Sequence, residues 1–334
     1  MAATVARTLA STAARGVRIA RPSTLRSLAY ELRWRGGTDE STGLAPSWTP
    51  DPRRLAETTV IWPDRYPWPP QAARVEPLRI GLGGFAPVGR SDVGEIVARQ
   101  FDDIVPFGIR IGNRTFTIAI DYGDGVNVQP ELLDHFDLVF KMQYLVEGYG
   151  SDRVVPGGYI PGSLALPRYL PQLRALRDGA QPTVDAYCRF GKDKVIEARA
   201  RAIEQLSAQN RFRFRGGFGR VRYLASLVDA ARARVCIDMP GLGPLCFRLV
   251  DYLAVGSAIV SPPNPCRLHV PLEPDRHIVY CRADQSDLVD VVDVLRRDEA
   301  RLARLVAESR AFFDRFLERR QLASYYLTTC LERL

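Results

Sequence analysis

Short apolar runs alternate with amphipathic segments along most of the chain, a pattern typical of the strands and helices of an α/β fold. In the first half these runs predict three strands, at Leu78–Leu82, Thr115–Asp121 and Leu138–Met142. The spacing of apolar residues between them predicts helices at Asp92–Phe101 and Gln129–Phe136. The residues ahead of this block are rich in Pro, Trp and Gly and show no sustained period, which predicts an irregular extension.

The alternation is more regular in the second half, where each predicted helix leads into another apolar run. Strands are predicted at Asp185–Arg189, Phe212–Arg215, Val235–Ile237, Ala258–Val260 and His277–Cys281. Helices are predicted at Lys192–Gln209, Val221–Ala231, Leu245–Val255 and Ser286–Arg297, followed by tail helices at Glu299–Leu317 and Leu322–Leu334. This order favours a parallel sheet that helices cover on both faces.

The length of the chain, 334 residues, is too great for one comfortable core and indicates two domains. The Pro- and Gly-rich segment Pro156–Pro182 is the predicted connector between them. We therefore expect two Rossmann-like α/β domains that face a cleft, preceded by an irregular extension. The predicted regions are 1–77 for a basic helix and the extension, 78–170 and 183–310 for the two domains, and 311–334 for terminal helices that pack back toward the first domain.

The segment Arg234–Pro262 carries the clearest candidate chemistry, because a strand, a Gly/Pro turn, a compact helix and a second strand follow one another. Gly241 and Gly243 let a ligand approach the backbone, and the first amides of the helix can face an anion. Arg248 lies one turn into the helix and offers a guanidinium fork, while Asp251 can accept a hydrogen bond from a hydroxyl. The alternative is an ordinary tight turn with a surface ion pair.

Two lysines are predicted to add positive charge near Arg248. The first predicted strand of the second half ends in Gly191, followed by Lys192 and Lys194. Because the carboxyl ends of parallel strands share one edge of a sheet, these lysines are expected to reach the same crevice as Arg248. An ordinary strand-to-helix turn is an equally good interpretation of this segment.

Acidic side chains follow a predicted strand of the first half. Asp121 and Asp124 have a D-x-x-D spacing, which differs from the D-x-D typical of a metal-dependent sugar-nucleotide site. Together with His135 they are the candidates for a general base that accepts a proton from an acceptor hydroxyl. Capping and turn stabilisation are the commoner roles of such loop acids.

Two other motifs indicate different functions. Gly81–Ala86 fits the G-x-G-x-x-A dinucleotide fingerprint, which would indicate a nicotinamide-dependent oxidoreductase, although Pro87 and Gly89 delay the helix that the fingerprint requires. Arg211–Arg220 interleaves arginines with phenylalanines, which is found in proteins that bind single-stranded RNA. The same period of two is typical of a strand with one solvated face, and we favour that interpretation.

The composition of the chain indicates which kinds of partner and which cellular compartment suit the protein. The net charge of +8 suits an anionic partner such as a sugar nucleotide, nucleic acid or an acidic membrane, or it is merely the composition of an arginine-rich proteome. The six cysteines form no C-x-x-C pair and several lie in apolar runs, which indicates buried thiols in a reducing, cytoplasmic compartment. The three histidines lack the spacing of a metal site.

The first thirty residues hold five arginines and no acidic residue. Such a segment is typical of an organelle transit peptide or of a basic helix in peripheral contact with a membrane surface. Because its apolar side is mostly alanine, a solvated helix or a frayed terminus is the interpretation that we rank first. No stretch of the chain approaches the roughly 18 uninterrupted apolar residues of a membrane span.

The second half resembles the C-terminal half of GT-B glycosyltransferases, nearest to the exostosin-like and capsule-associated branches. The resemblance covers about 150 residues and lies in the segments YCRFGKDKVIEARARAIEQL, RFRFRGG, YLASLVDAARARVCIDMPGLGPLCFRLVDYLAVGSAIV and HIVYCRADQSDLVDVVDVLRRDEARLARLVAESRAFFDRFL. In the first half it rests on the shorter segments FTIAIDYGDG and HFDLVFKMQY.

This resemblance implies a GT-B arrangement and transfer of a sugar from a nucleotide-sugar donor to a glycan or another hydroxyl acceptor. It implies that Arg248 and the amides of Leu245, Cys246 and Phe247 bind the donor's diphosphate, and that Asp251 faces the nucleotide sugar. The positive charge is then supplied by the protein, so neither a metal nor a cofactor is implied, and no nucleic acid is expected as a partner. An RNA- or polysaccharide-binding protein without catalytic activity is the alternative.

One departure from the family concerns the stereochemistry of transfer. Many retaining relatives carry a Glu eight residues before the second acid of the motif. Gly243 occupies that position here, eight residues before Asp251. A retaining mechanism of that type therefore does not follow from the resemblance, and both stereochemical outcomes stay open.

Overall fold

The computed structural model of the protein describes residues 22–34, 43–66, 72–191 and 196–334. Most of the predicted basic N-terminal segment lies outside these residues, and so do Lys192 and Lys194. The described helices are α1 (Pro22–Arg33), α2 (Pro52–Ala56), α3 (Ala72–Leu82), α4 (Val93–Ile96), α5 (Leu132–His135), α6 (Leu166–Gly179), α7 (Glu197–Ala208), α8 (Tyr223–Ala231), α9 (Phe247–Val255), α10 (Leu288–Leu295), α11 (Glu299–Phe312) and α12 (Arg319–Arg333).

The strands form two larger sheets and one short pair, so the fold is mixed α/β. They are β1 (Thr58–Pro63), β2 (Val88–Ser91), β3 (Ile104–Ile111), β4 (Arg114–Asp121), β5 (Leu138–Lys141), β6 (Tyr144–Leu145), β7 (Val154–Pro156), β8 (Val184–Tyr187), β9 (Phe214–Arg215), β10 (Ala233–Ile237), β11 (Ala258–Ser261), β12 (Cys266–Arg267) and β13 (Val279–Tyr280).

The first sheet has the order β2-β1-β3-β4-β5-β7 and is mixed rather than uniformly parallel. The chain runs antiparallel from β1 to β3 and from β3 to β4, and then parallel through β5 and β7. The predicted strands at β4 and β5 are confirmed. The helices predicted at Asp92–Phe101 and Gln129–Phe136 are each only one turn long, α4 and α5. A β3–β4 hairpin thus replaces the helical crossover of a Rossmann-like unit, which corrects that expectation for this sheet.

The predicted strand at Leu78–Leu82 is wrong, because these residues end helix α3. Val75, Leu78 and Leu82 follow helical spacing and are almost fully buried. The helix packs against α12, and a side chain on Gly81 would lie 2.2 Å from the Arg319 carbonyl oxygen. The G-x-G-x-x-A match therefore begins in the last turn of a helix instead of after a strand, which is not the context of a dinucleotide fingerprint, and Gly81 allows close helix packing.

Strand β1 lies where the sequence predicted an irregular extension. It pairs with β2 on one side and with β3 on the other, so it is an interior strand of the first sheet. Its Trp62 is fully buried and its ring lies 5.4 Å from that of Phe107. Pro63 ends the strand, where a missing N–H is tolerated. The aromatic and proline content of this segment thus marks a core strand as well as its end.

The second sheet has the order β13-β11-β10-β8-β9, and all its described pairs are parallel, as the sequence predicted. When the five strands are numbered by their order along the chain, they lie side by side in the order two, one, three, four, five. The chain leaves β8 toward one edge and later returns to β10 on the other side of β8. In such a sheet the loops after β8 and β10 diverge and leave a crevice at their carboxyl ends.

The two halves of the chain are joined by packing as well as by the connector. Strand β6 of the first half pairs antiparallel with β12 of the second. Helix α12 packs against the first sheet. The Tyr326 ring stacks on that of Phe140, with 3.8 Å between the ring centres, and the Tyr326 hydroxyl donates a hydrogen bond to the Gly157 carbonyl oxygen. One cluster of buried apolar residues includes members of both halves, among them Phe140 and Leu249. Within the described ranges, no helix has the length and apolar character needed to span a membrane.

Candidate functional site

A cavity of about 490 Å³ opens at the carboxyl ends of β8 and β10. This is the crevice that the strand order creates, and its volume suits a ligand of nucleotide size. Residues of both halves line it. From the first half and the connector come Asp124, Tyr159 and Gly162, and from the second half come Arg189, Phe190, Gly191, Arg199, Gly219, Arg220, Val221, Tyr223, Ser226, Leu227, Gly241, Leu242, Leu245, Cys246, Phe247, Arg248, Asp251 and Tyr252.

Most of the sequence-predicted site residues gather at this cavity. Gly191, Gly241, Leu245, Cys246, Phe247, Arg248, Asp251 and Asp124 all line it. Gly243 lies in the same turn but packs against the first half of the chain. Asp121 is buried elsewhere, and Lys192 lies outside the described residues, so its prediction is not addressed by the structure.

Arg248 is held rigidly in the cavity wall. Its Nε donates to Asp238 Oδ1 at 2.9 Å, and one terminal nitrogen donates to the Met239 carbonyl oxygen at 2.7 Å. The guanidinium lies 4.6 Å from the centre of the Phe190 ring. Asp238 directly follows β10 and Phe190 follows β8, so the ends of the two strands at the crevice fix the orientation of this cation.

Arg199 is a second buried guanidinium at the same place, and the sequence analysis missed it. Its Nε donates to the Pro240 carbonyl oxygen at 2.8 Å, and its guanidinium lies 5.1 Å from the centre of the Phe190 ring, the same ring that Arg248 contacts. A side chain on Gly241 would lie 2.8 Å from the Arg199 guanidinium, so the glycine admits this arginine. The signal in the sequence was a basic residue in the first turn of the helix that follows the crevice loop.

The two guanidiniums repel each other in a site with little water. Burial and the Arg248 charge both lower the pKa of Arg199. Burial also opposes the charge on Arg248, but Asp238 outweighs it and raises the pKa of Arg248 above its usual value. Both side chains therefore stay cationic at neutral pH. An anion in contact with both would relieve their repulsion, since opposite charges attract more strongly where water is excluded.

The start of α9 adds polar backbone to this cation pair. Cys246 precedes the first helical residue, Phe247, and no described side chain caps this end of the helix. The first amides of a helix have no carbonyl partner within it, and the helix dipole favours an anion there. Cys246 and Phe247 line the cavity beside Arg248, so these amides lie next to the guanidinium.

Leu245 and Gly243 have a different role from the predicted one. The Leu245 amide donates to Gln143 Oε1 at 2.8 Å, so it is engaged by the protein. A side chain on Gly243 would lie 2.3 Å from Gln143 Nε2 and 2.9 Å from the Asp124 carbonyl oxygen. These two residues therefore hold the turn against the first half of the chain, because the backbone approaches it too closely for any side chain at Gly243.

Two residues of the cavity wall each have a buried polar atom without a hydrogen-bond partner among the described residues. The Tyr252 hydroxyl and Arg189 Nε have no hydrogen-bond partner among the described residues. Tyr252 is 2% exposed, and both residues belong to the cavity wall. Buried polar groups are nearly always hydrogen-bonded, so these two atoms are exceptions within the wall. Among the described residues that line the cavity, four arginines outnumber two aspartates, so a ligand of the cavity is expected to be anionic.

Asp251 joins three elements at the back of the cavity. Its Oδ1 accepts hydrogen bonds from the Gly162 amide at 3.0 Å and from the Tyr223 hydroxyl at 2.7 Å. Burial raises its pKa to about 7, although these two hydrogen bonds and Arg248 act in the opposite direction. Near neutral pH this carboxyl group is therefore present in both its protonated and its ionised form.

We expect Asp251→Asn to remove part of the pH dependence of stability. The folded state holds the Asp251 proton up to about pH 7, while an unfolded aspartate loses it near pH 4. Between these values the native state binds more protons, so the free energy of unfolding falls as the pH rises. Urea denaturation at pH 5 and pH 8 should show the variant gaining stability relative to the wild type at pH 8. An equal difference at both pH values would contradict the assignment.

The three candidate bases occupy different environments. Asp124 lies in the cavity wall, on the side contributed by the first half. Asp121 is buried and bonded to Lys141 Nζ at 2.7 Å and to the Gly123 amide. His135 lies in α5 with its ring 5.4 Å from that of Phe101, away from the cavity. Only Asp124, of these three, can reach a ligand in the cavity.

The Arg/Phe block forms part of the second sheet, which confirms its interpretation as a strand. Its ordered pairing is limited to β9, which is shorter than predicted. Asp293 accepts hydrogen bonds from the Arg211 guanidinium at 3.0 and 2.7 Å, and Asp229 accepts one from Arg215 at 3.0 Å. Phe212 is buried. These arginines and this ring are engaged within the protein, which weakens the case for RNA stacking at this block.

No protein-family model and no curated protein matches this chain. Within the described part of the chain, no group of three or more His, Cys, Asp or Glu side chains is arranged to hold a metal ion. The chemistry of the cavity itself, with two guanidiniums, a helix start and the Asp124 carboxylate from the first half, is therefore the basis for a functional conclusion.

Proposed function

We propose that the protein is a glycosyltransferase of GT-B type that moves a sugar from a nucleotide-sugar donor to a hydroxyl of a glycan or another acceptor. The observation that carries the proposal is the pair of buried guanidiniums, Arg199 and Arg248, beside the start of α9 in the cavity. Together these groups form a fixed positive site, and a diphosphate is the anion whose size and charge match it.

The position of the cavity supports the two-domain arrangement that the resemblance implies. The donor side is built by the parallel sheet of the second half, at the crevice where open α/β sheets bind ligands. Asp124 of the first half and Gly162 of the connector complete the lining of the cavity. A donor bound there would therefore present its sugar to an acceptor that approaches beside the first half of the chain.

Different residues would stabilise the leaving group and accept the proton of the acceptor. The bond between the sugar's anomeric carbon and the diphosphate breaks, and both bonding electrons leave with the diphosphate. Arg248, Arg199 and the first amides of α9 stabilise that leaving charge, which is the role that a metal ion plays in other transferases. The acceptor oxygen forms the new bond to the anomeric carbon, and its proton passes to the Asp124 carboxylate.

The binding of nucleoside diphosphates tests the proposal. We expect UDP, GDP or dTDP to raise the melting temperature by several degrees, because a ligand at roughly 100 times its Kd stabilises the folded state by about 2.7 kcal/mol. The matching monophosphates serve as controls, and they should give smaller shifts because they lack the second phosphate. If none of the three diphosphates shifts the melting temperature, the proposed function is wrong. A steep salt-dependent affinity for RNA would favour the binding-protein alternative.

A further inference from the structure

A single glutamine of the first half holds the turn that leads into α9. Gln143 follows β5 and is fully buried. Its Nε2 donates to the Leu245 carbonyl oxygen at 2.9 Å, and its Oε1 accepts from the Leu245 amide at 2.8 Å. The two residues are 102 positions apart in the sequence. The side-chain amide thus satisfies both polar backbone groups of one residue, two positions before α9 begins.

The backbone on either side of this contact is also fixed. Gln143 directly precedes β6, which pairs with β12 of the second half. The Val146 amide donates to the Pro265 carbonyl oxygen at 2.9 Å, and Asn264 Nδ2 donates to the Pro244 carbonyl oxygen at 2.7 Å. The turn before α9 and the start of β6 are therefore parts of one junction between the halves.

This junction also includes the loop of Asp124. The backbone at Gly243 approaches both Gln143 Nε2 and the Asp124 carbonyl oxygen. The Tyr149 hydroxyl lies within hydrogen-bond distance of the Val126 and Gln143 carbonyl oxygens. Gln143 therefore contacts the turn that carries the cation site, while its neighbours contact the loop that carries the carboxylate.

We propose that Gln143 is a positioning residue that sets the start of α9, with Arg248, at a fixed place relative to Asp124. The geometric part of this inference is independent of the reaction, and its consequence for catalysis rests on the proposed function. Such a link keeps the diphosphate site and the carboxylate for the acceptor at a constant separation. This matters because small displacements of reacting groups lower the rate of catalysis.

The test compares Gln143→Met with a matched control. Methionine keeps the length of the side chain and removes both hydrogen bonds. Gln321 provides the control, because its buried amide also holds a distant backbone segment: Oε1 accepts from the Ser47 amide at 2.8 Å and Nε2 donates to the Ala45 carbonyl oxygen at 3.1 Å. Gln321→Met should therefore lose a similar amount of stability away from the cavity.

Two measurements on the full-length chain separate the inference from the proposed function. Hydrogen exchange of peptides covering residues 240–249 should be roughly 10-fold faster in Gln143→Met, because the Leu245 amide loses its acceptor, and unchanged in Gln321→Met. The affinity for the nucleoside diphosphate bound by the wild type should fall roughly 10-fold in the first variant alone. If the wild type binds no nucleoside diphosphate, the proposed function fails while hydrogen exchange still tests the link.

Equal exchange at residues 240–249 in the wild type and Gln143→Met would overturn the inference, and so would equal acceleration in both glutamine variants. Gly243→Ala keeps the test decisive if Gln143→Met does not fold. Its added methyl group would lie 2.3 Å from Gln143 Nε2, so it should displace the same side chain and reproduce the faster exchange. Normal exchange in a folded Gly243→Ala variant would contradict the proposed role of Gln143.

Discussion

Replacement of Arg248 by alanine is expected to weaken nucleoside diphosphate binding by about 100-fold or more while the chain stays folded. The guanidinium offers charge-assisted hydrogen bonds from a fixed fork, and its loss removes one of the two arginines of the proposed diphosphate site. Calorimetric titration with the diphosphate identified by thermal shift measures the effect. A folded variant with wild-type affinity would refute the role of this arginine.

Two further variants separate the loss of the cation from its side effects. Arg248→Ala leaves Asp238 buried without its main partner, so Arg248→Ala combined with Asp238→Asn shows whether the remaining carboxylate causes the loss. Arg174→Ala is the matched control, because Arg174 forms a partly buried ion pair with Asp314 at 2.7 Å away from the cavity. The double variant should still bind weakly, and the control should bind normally.

Replacement of Asp124 by asparagine is expected to lower kcat by roughly 100-fold to 10,000-fold, the usual contribution of a general base. Donor affinity should change much less than kcat, because Arg248 and Arg199 are the proposed diphosphate ligands and asparagine keeps the size of the side chain. Transfer measured as release of nucleoside diphosphate in the presence of acceptor reports kcat, and calorimetry reports affinity. An unchanged kcat would remove Asp124 from the mechanism.

An exposed acid from the same half gives the control for this second variant. Asp134 lies in α5 and is exposed, outside the residues that line the cavity. Asp134→Asn should therefore leave both kcat and affinity unchanged. Asp121→Asn is less useful as a control. It would leave the buried Lys141 ammonium without its carboxylate partner, and the resulting loss of stability would obscure any effect on the reaction.

The second half of the molecule could be predicted closely from the sequence because a parallel sheet buries its strands on both faces. Its strands therefore appear as short continuous apolar runs, and β10 and β11 lie within two residues of their predicted bounds. Helix α9 ends at Val255, the predicted last residue, and Gly256 follows it in the left-handed region at φ 83°. Local signals were sufficient here because each element is specified by its own residues.

The first half was predicted less well because its apolar runs are ambiguous. The run at Leu78–Leu82 is too short for its period to distinguish a strand from the end of a helix. Only the contact between Gly81 and α12, far along the chain, shows why a helix fits there. Strand β1 was missed because its prolines and aromatic residues resemble those of a loop, although its pairing with two strands is regular.

The sequence by itself determined the glycine turn, the helix that starts after it and the presence of Arg248 near that start, because capping and turn chemistry are local. Only the tertiary structure decided that Arg199 joins Arg248, that Asp124 rather than Asp121 faces the cavity and that Gln143 holds Leu245. These contacts connect residues that are distant in the chain. They depend on how two sheets pack, and no pattern within one segment encodes that packing.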